Sequence, residues 1–237
     1  MAKKKVKGVS LSRFETVGGG IFLACYILLL PFIRSGLFRA IENLMGHSIS
    51  AATEYGIYYC VLLLVTILIF YNFLGKSTHY FFGCMGDTFR SVGIGLVAFY
   101  GLNELIYRAT RVLLGNRVNL NDYAISAQID DAPRVTLLIV VLIAPFIEEV
   151  LFRGYVYGSL KGHSRTTAYV VSCLLFAFLH VWQFVGGDVL SINRFILLVQ
   201  YLIPGMVLAW SYDRCGNLWG PFFLHAAANA MHVWLNW

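Results

Sequence analysis

The stretch APFIEEVLFRGYVYGSL, Ala144 to Leu160, sets two adjacent carboxylates, Glu148 and Glu149, in an apolar run. Ionisable groups at membrane depth are costly, which makes each one a candidate for function. The others are Glu104, Arg153, His180, His225 and His232, with Asn229 as a polar amide. On a helix, neighbours point about 100° apart and residues four apart share a face. Glu149 therefore lies over Arg153 and can pair with it, while Glu148 has no partner on its own helix. His225 and Asn229 share a face across Ala226, Ala227 and Ala228, whose small side chains admit a close neighbour. Phe176 and His180 are likewise four apart, a ring beside an imidazole.

A carboxylate so placed can act as a general base, and with His180 beside it could hold and deprotonate a water. A second histidine and an amide, His225 and Asn229, could stabilise a developing oxyanion. Together these groups describe amide hydrolysis without a covalent intermediate. The same atoms allow a second chemistry, with Glu148, His180 and His225 around Zn²⁺ and water in the fourth position, although HExxH is absent. The residues leave both open. A serine nucleophile has weak support, because GxSxG does not occur and Ser172 and Ser211 have no obvious base partner. Taken singly, each buried polar group could do no more than hold helices together. Glu104 with Arg108, four residues apart, is read that way. His232 reads as interfacial, and His47, His79 and His163 as solvated in connections.

These side chains need helices to position them. Apolar stretches long enough to span a bilayer, at about 20 residues each, occur near 20–38, 56–74, 91–114, 135–160, 167–186, 194–212 and 218–236, about seven in all. Pro31 and Arg34 interrupt the first, and Glu104, Arg108 and Arg111 crowd the third. Glu148 stands 12 residues from Leu160, and His180 stands 13 from Thr167, across one short connection. At about 1.5 Å per residue both lie roughly 18–20 Å from that turn, on antiparallel neighbours. His225 and Asn229 lie 7 and 11 residues along the last stretch from Leu218, in nearby layers. Gly154 and Gly158 form a GxxxG that suits a close helix contact. Pro204-Gly205 suits a kink in the sixth stretch.

Composition supports a membrane setting. The 237 residues are 59% hydrophobic and 13% charged, with a mean hydropathy of +0.71. A soluble domain of this size carries roughly 25% charged residues. The formal charge is +6, with Lys3, Lys4, Lys5, Lys7 and Arg13 ahead of the first apolar stretch. Such a cluster stays cytoplasmic and attracts anionic lipid. Placing it inside puts ten basic residues in inner connections against five in outer ones, Arg34, Arg39, Arg117, Arg134 and Arg194. The polar segment 116–134 is then extracytoplasmic, and Asp131 followed by Pro133 suits the start of the fourth helix. No aromatic and basic module for nucleic acid follows the tail. Cys25, Cys60, Cys84, Cys173 and Cys215 contain no CxxC and read as free thiols. The fold class is an all-α, polytopic transmembrane helix bundle. Residues 1–134 supply N-terminal helices, the basic tail and the polar loop, and residues 135–237 supply the catalytic bundle.

Glu148-Glu149-xxx-Arg153, then Phe176-xxx-His180, then His225-xxx-Asn229, in this order on separate helices, resembles the CPBP family. These are the CAAX prenyl proteases and bacteriocin-processing enzymes, also called Abi proteins. The resemblance covers about 135–237, and the first 130 residues match only in being apolar helices. It implies an intramembrane endopeptidase in which Glu148 and His180 activate water, His225 and Asn229 bind the oxyanion, and Glu149, Arg153 and Phe176 support the site. It implies a membrane-associated peptide or protein substrate, prenylated or not, and membrane lipid as surroundings. A metal-free mechanism and a zinc mechanism are both compatible with it. The chain length resembles the bacterial branch, which implies a bacterial cell membrane with the N-terminus cytoplasmic. Two other readings use the same residues: a non-catalytic immunity or signalling partner, and a transporter, for which inverted repeats are missing.

Overall fold

The computed structural model describes residues 9–114, 120–182 and 192–236. Lys3, Lys4, Lys5, Lys7 and Arg117 lie outside the described residues. The chain forms α1 (Arg13–Met45), α2 (Ala51–Ile69), α3 (Tyr71–Gly83), α4 (Met85–Leu114), α5 (Leu120–Asp131), α6 (Pro133–Lys161), α7 (Arg165–Trp182), α8 (Ile192–Cys215) and α9 (Trp219–Asn236). Among the described residues there is no strand. The chain is an all-α, multi-pass membrane bundle. Among the described residues four helices, α1, α2, α6 and α7, are both long and apolar enough to cross a bilayer. The remaining expected spans fall on α4, α8 and α9, which carry more polar residues: Glu104 and Arg108 on α4, Asp213 and Arg214 on α8, His225 and His232 on α9.

Two expectations change. The expected span 56–74 is two helices, because the backbone turns at Phe70 (φ −101°, ψ 21°) between α2 and α3. The polar segment 116–134 is not a plain loop, since Leu120–Asp131 is helical.

Local chemistry explains the helix ends. Ser12 caps α1, accepting from the Glu15 amide, while the Glu15 carboxylate accepts from the Ser12 amide at 2.7 Å. This is the reciprocal S-x-x-E box. The other Glu15 oxygen accepts from Phe73 N–H at 2.6 Å, so one buried carboxylate also caps the start of α3. Gly46 closes α1 at φ 72°, a left-handed position that glycine takes without steric cost. Pro133 opens α6, where its missing N–H has no helical partner to lose.

Two of the prolines inside helices, Pro31 and Pro145, each follow a widened turn. Cys25–Leu29 precedes Pro31, and Ile139–Ile143 precedes Pro145; both are π-helical. The amides just before them, Leu30 and Ala144, reach back five residues to Cys25 and Ile139. The wider turn separates the proline ring from the preceding carbonyls it would otherwise meet. A second π-helical stretch, Val150–Tyr157, follows, so the short α-helical piece Ala144–Glu149 is bracketed by two widened segments.

α6 is the inner helix. Half of its most apolar 18 residues are buried, against 22% in α1 and 11% in α2. Ile147, Val150, Leu151 and Phe152 pack with Phe176 of α7, Leu208 of α8 and Leu224 of α9. The outer helices instead show Leu28, Phe32, Val61, Leu64 and Leu68 on the surface, as helices facing lipid would. Gly154 meets the Phe73 ring, where a Cβ would come within 2.8 Å, and a Cβ on Gly158 would lie 3.6 Å from the Tyr212 hydroxyl. The GxxxG therefore serves two different helices, α3 and α8.

Candidate active site

Glu148 and Glu149 diverge, as their spacing requires. Glu149 and Arg153 are both fully buried and joined at 2.8 Å. The same Glu149 oxygen accepts from His225 Nδ1 at 2.8 Å, and Arg153 Nη2 donates to the Gly205 carbonyl at 3.1 Å. The Arg153 guanidinium also lies 4.4 Å from the Phe176 ring centroid. A buried carboxylate with two charge-assisted partners and a stacked guanidinium is a rigid unit, because removing any partner leaves a desolvated charge. It ties α6 to α7, α8 and α9. Pro204 sits within α8, which continues through it, and the adjacent Gly205 supplies the carbonyl.

Glu148 faces the other way. Its Oε2 lies 3.8 Å from His180 Nε2, beyond direct hydrogen bonding. His180 Nδ1 donates to the Phe176 carbonyl at 2.9 Å, a tautomer that leaves Nε2 as an acceptor towards Glu148. The imidazole is held flat by Tyr201, with ring centroids 4.4 Å apart and planes 19° apart, and by Phe176 at 4.6 Å. Two acceptors 3.8 Å apart can each take one hydrogen from a single water.

Asn229 has a specific partner. Its Nδ2 donates to the Val140 carbonyl at 2.9 Å. In the five-residue register of that turn, the amide that would serve Val140 belongs to position 145, which is proline. Asn229 supplies the donor that Pro145 lacks, and so pins α9 against α6. One of its two amide hydrogens is committed there and the other remains.

Glu148, His180, His225 and Asn229 all line one cavity of about 750 Å³. The structure thus brings together the four catalytic candidates, with Phe176 in the same wall and Glu149 and Arg153 behind it. Glu104 and His232 also line this cavity and are themselves exposed. Glu104 pairs with Arg108 at 2.7 Å. His47, His79 and His163 are exposed and away from it. Ser172 donates to the Phe152 carbonyl and Ser211 pairs with Ser91, so neither hydroxyl serves the cavity.

As a zinc site the trio fits poorly. Among the described residues, no three His, Cys, Asp or Glu groups gather closely enough to hold a metal ion. His225 is turned by its bond to Glu149, so Glu148 and His180 remain as a pair.

The pattern in the sequence missed the opposite wall. Tyr26 and Arg34 of α1 and Tyr55, Tyr58 and Tyr59 of α2 line the same cavity. Their signal was present: Arg34 is an ionisable group inside an apolar helix, and EYGIYY clusters three phenols within two turns.

Residues 131–231 match the family described as type II CAAX prenyl endopeptidase Rce1-like. A 91-residue stretch is 29% identical to UPF0177 protein YxdF of Lactococcus lactis subsp. lactis (strain IL1403). That match covers 37% of this chain and 42% of the relative, so the chain is matched over less than half of that protein's length. No solved structure matches the chain. The matched segment runs from the last residue of α5 to within α9 and contains all seven site residues, and over it the chain is similar to the Rce1-like group of CAAX prenyl endopeptidases.

Proposed function

We propose that the chain is an intramembrane endopeptidase that hydrolyses a peptide bond of a membrane-associated substrate, prenylated or not, using water activated by Glu148 and His180 without a metal. The observation that carries this is the 3.8 Å approach of Glu148 and His180 across a cavity shared with His225 and Asn229. The water's oxygen attacks the peptide carbonyl carbon as Glu148 takes its proton. The resulting oxyanion receives a hydrogen bond from the free Asn229 N–H, with the His225 ring, fixed on Glu149 through Nδ1, beside it. The proton held by Glu148 passes to the leaving amine nitrogen as the C–N bond breaks.

The family match supports peptidase chemistry at this site. The Lactococcus relative and the basic tail support a bacterial cell membrane with the N-terminus cytoplasmic. Purified protein in detergent, given a panel of quenched-fluorescent peptides with and without a prenyl group, is expected to cleave at least one, while Glu148→Ala cleaves none. Equal rates for both proteins overturn the reading. Inertness of both across the panel turns it towards a non-catalytic immunity or signalling partner.

A further inference from the structure

The N-terminal half brings a cation to the cavity. Arg34 is the one lysine or arginine among the described lining residues. Its guanidinium carbon lies 4.7 Å from the Tyr55 ring centroid and 5.6 Å from that of Tyr58. Its Nε is 3.2 Å from Glu54 Oε1. Among the described residues, no hydrogen bond occupies its two terminal nitrogens. A guanidinium stacked on aromatic faces keeps its N–H groups in plane at the edges. With Glu54 on the Nε side, the Nη edge remains, and that fork matches a carboxylate.

The position suits a substrate contact. Tyr59 lies one helical turn from Tyr55, lines the cavity and is within electrostatic reach of both Glu148 and Arg34. The cation, the base and this phenol thus line one cavity. Glu104, the other charged group at the wall besides Glu148, is already paired with Arg108 and would repel an acid placed beside it. A carboxylate entering this space has Arg34 as its partner.

We infer that Arg34 anchors a carboxylate of the substrate, the free C-terminus or an acidic side chain, and so sets which bond reaches Glu148. The inference rests on the peptidase reading, yet it has its own readout. Fluorescent peptides of one sequence are bound to the folded Glu148→Gln protein in detergent and followed by anisotropy. One has a free C-terminus, one is amidated, and one is amidated with an internal Glu. One or both acidic peptides are expected to bind about tenfold tighter than the neutral amide. Which of the two does so identifies the source of the carboxylate.

Adding Arg34→Gln is expected to bring all three within about twofold, while Arg34→Lys retains part of the preference. Glu54→Gln keeps Arg34 and removes its partner, and is expected to preserve or widen the preference. Equal binding of the three by the Arg34 protein overturns the anchor, as does a preference that survives in folded Arg34→Gln. Loss of the preference in folded Glu54→Gln does the same. Hydrolysis of all three by wild type with equal KM removes the anchor and leaves the peptidase. A preference in binding with no hydrolysis by wild type removes the peptidase and leaves the anchor.

Discussion

Glu148 and Glu149 are neighbours in sequence with opposite fates. Glu149 Oε1 is bonded by both Arg153 and His225 in a fully buried cluster, while among the described residues no hydrogen bond reaches Glu148 and its Oε2 faces His180 across 3.8 Å; Glu149 Oε2, like Glu148 Oε2, has no hydrogen-bond partner among them. Glu148→Gln preserves shape and removes the base, so turnover is expected to fall by about 10²–10⁴-fold with an unchanged Tm. Glu149→Gln strands the Arg153 charge, and is expected to cost about 3–5 kcal/mol, seen as a lower Tm or lost folded yield in detergent. A Glu149→Gln protein as stable as wild type would show that the cluster is not structural. Dialysis against a chelator is expected to leave turnover intact; loss with EDTA and recovery with Zn²⁺ would overturn the metal-free chemistry.

At the scale of the helix, proline explains more than a kink. The widened turns before Pro31 and Pro145 are built from ordinary apolar residues, CYILL and IVVLI, whose types give no hint of a wider pitch. The proline that follows is what makes the wider turn favourable. In α6 this leaves the Val140 carbonyl for Asn229. Pro145→Ala restores a backbone N–H that competes for that carbonyl. Its Tm is expected to hold or rise, since alanine favours helix over proline, while kcat falls because the Asn229 amide loses its fixed partner. Unchanged kcat would mean that Asn229 is positioned by something else.

Across the whole molecule, the two halves of the chain share one cavity. The family match begins at residue 131, yet Tyr26, Arg34 and Tyr59 lie far before it and form the facing wall. Orientation in the bilayer then decides from which side this cavity is reached. The basic tail argues for a cytoplasmic N-terminus. An epitope placed there is expected to resist protease added outside sealed spheroplasts, and digestion from outside would reverse the topology.

Side-chain type and helical period were enough to separate the two glutamates, to pair Glu149 with Arg153, and to place Glu148, His180, His225 and Asn229 at compatible depths. Those facts are local, fixed by 100° per residue and a constant rise. The sequence also held the proline that opens α6. It could not show that His225 bonds to Glu149, that Asn229 serves the Val140 carbonyl, or that Arg34 reaches the cavity of Glu148. Each of these joins residues 76 or more positions apart, or depends on a widened turn that shifts the register of every side chain after it. Only the packed bundle fixes which helix faces meet, because apolar side chains alone are equally content against lipid or against one another.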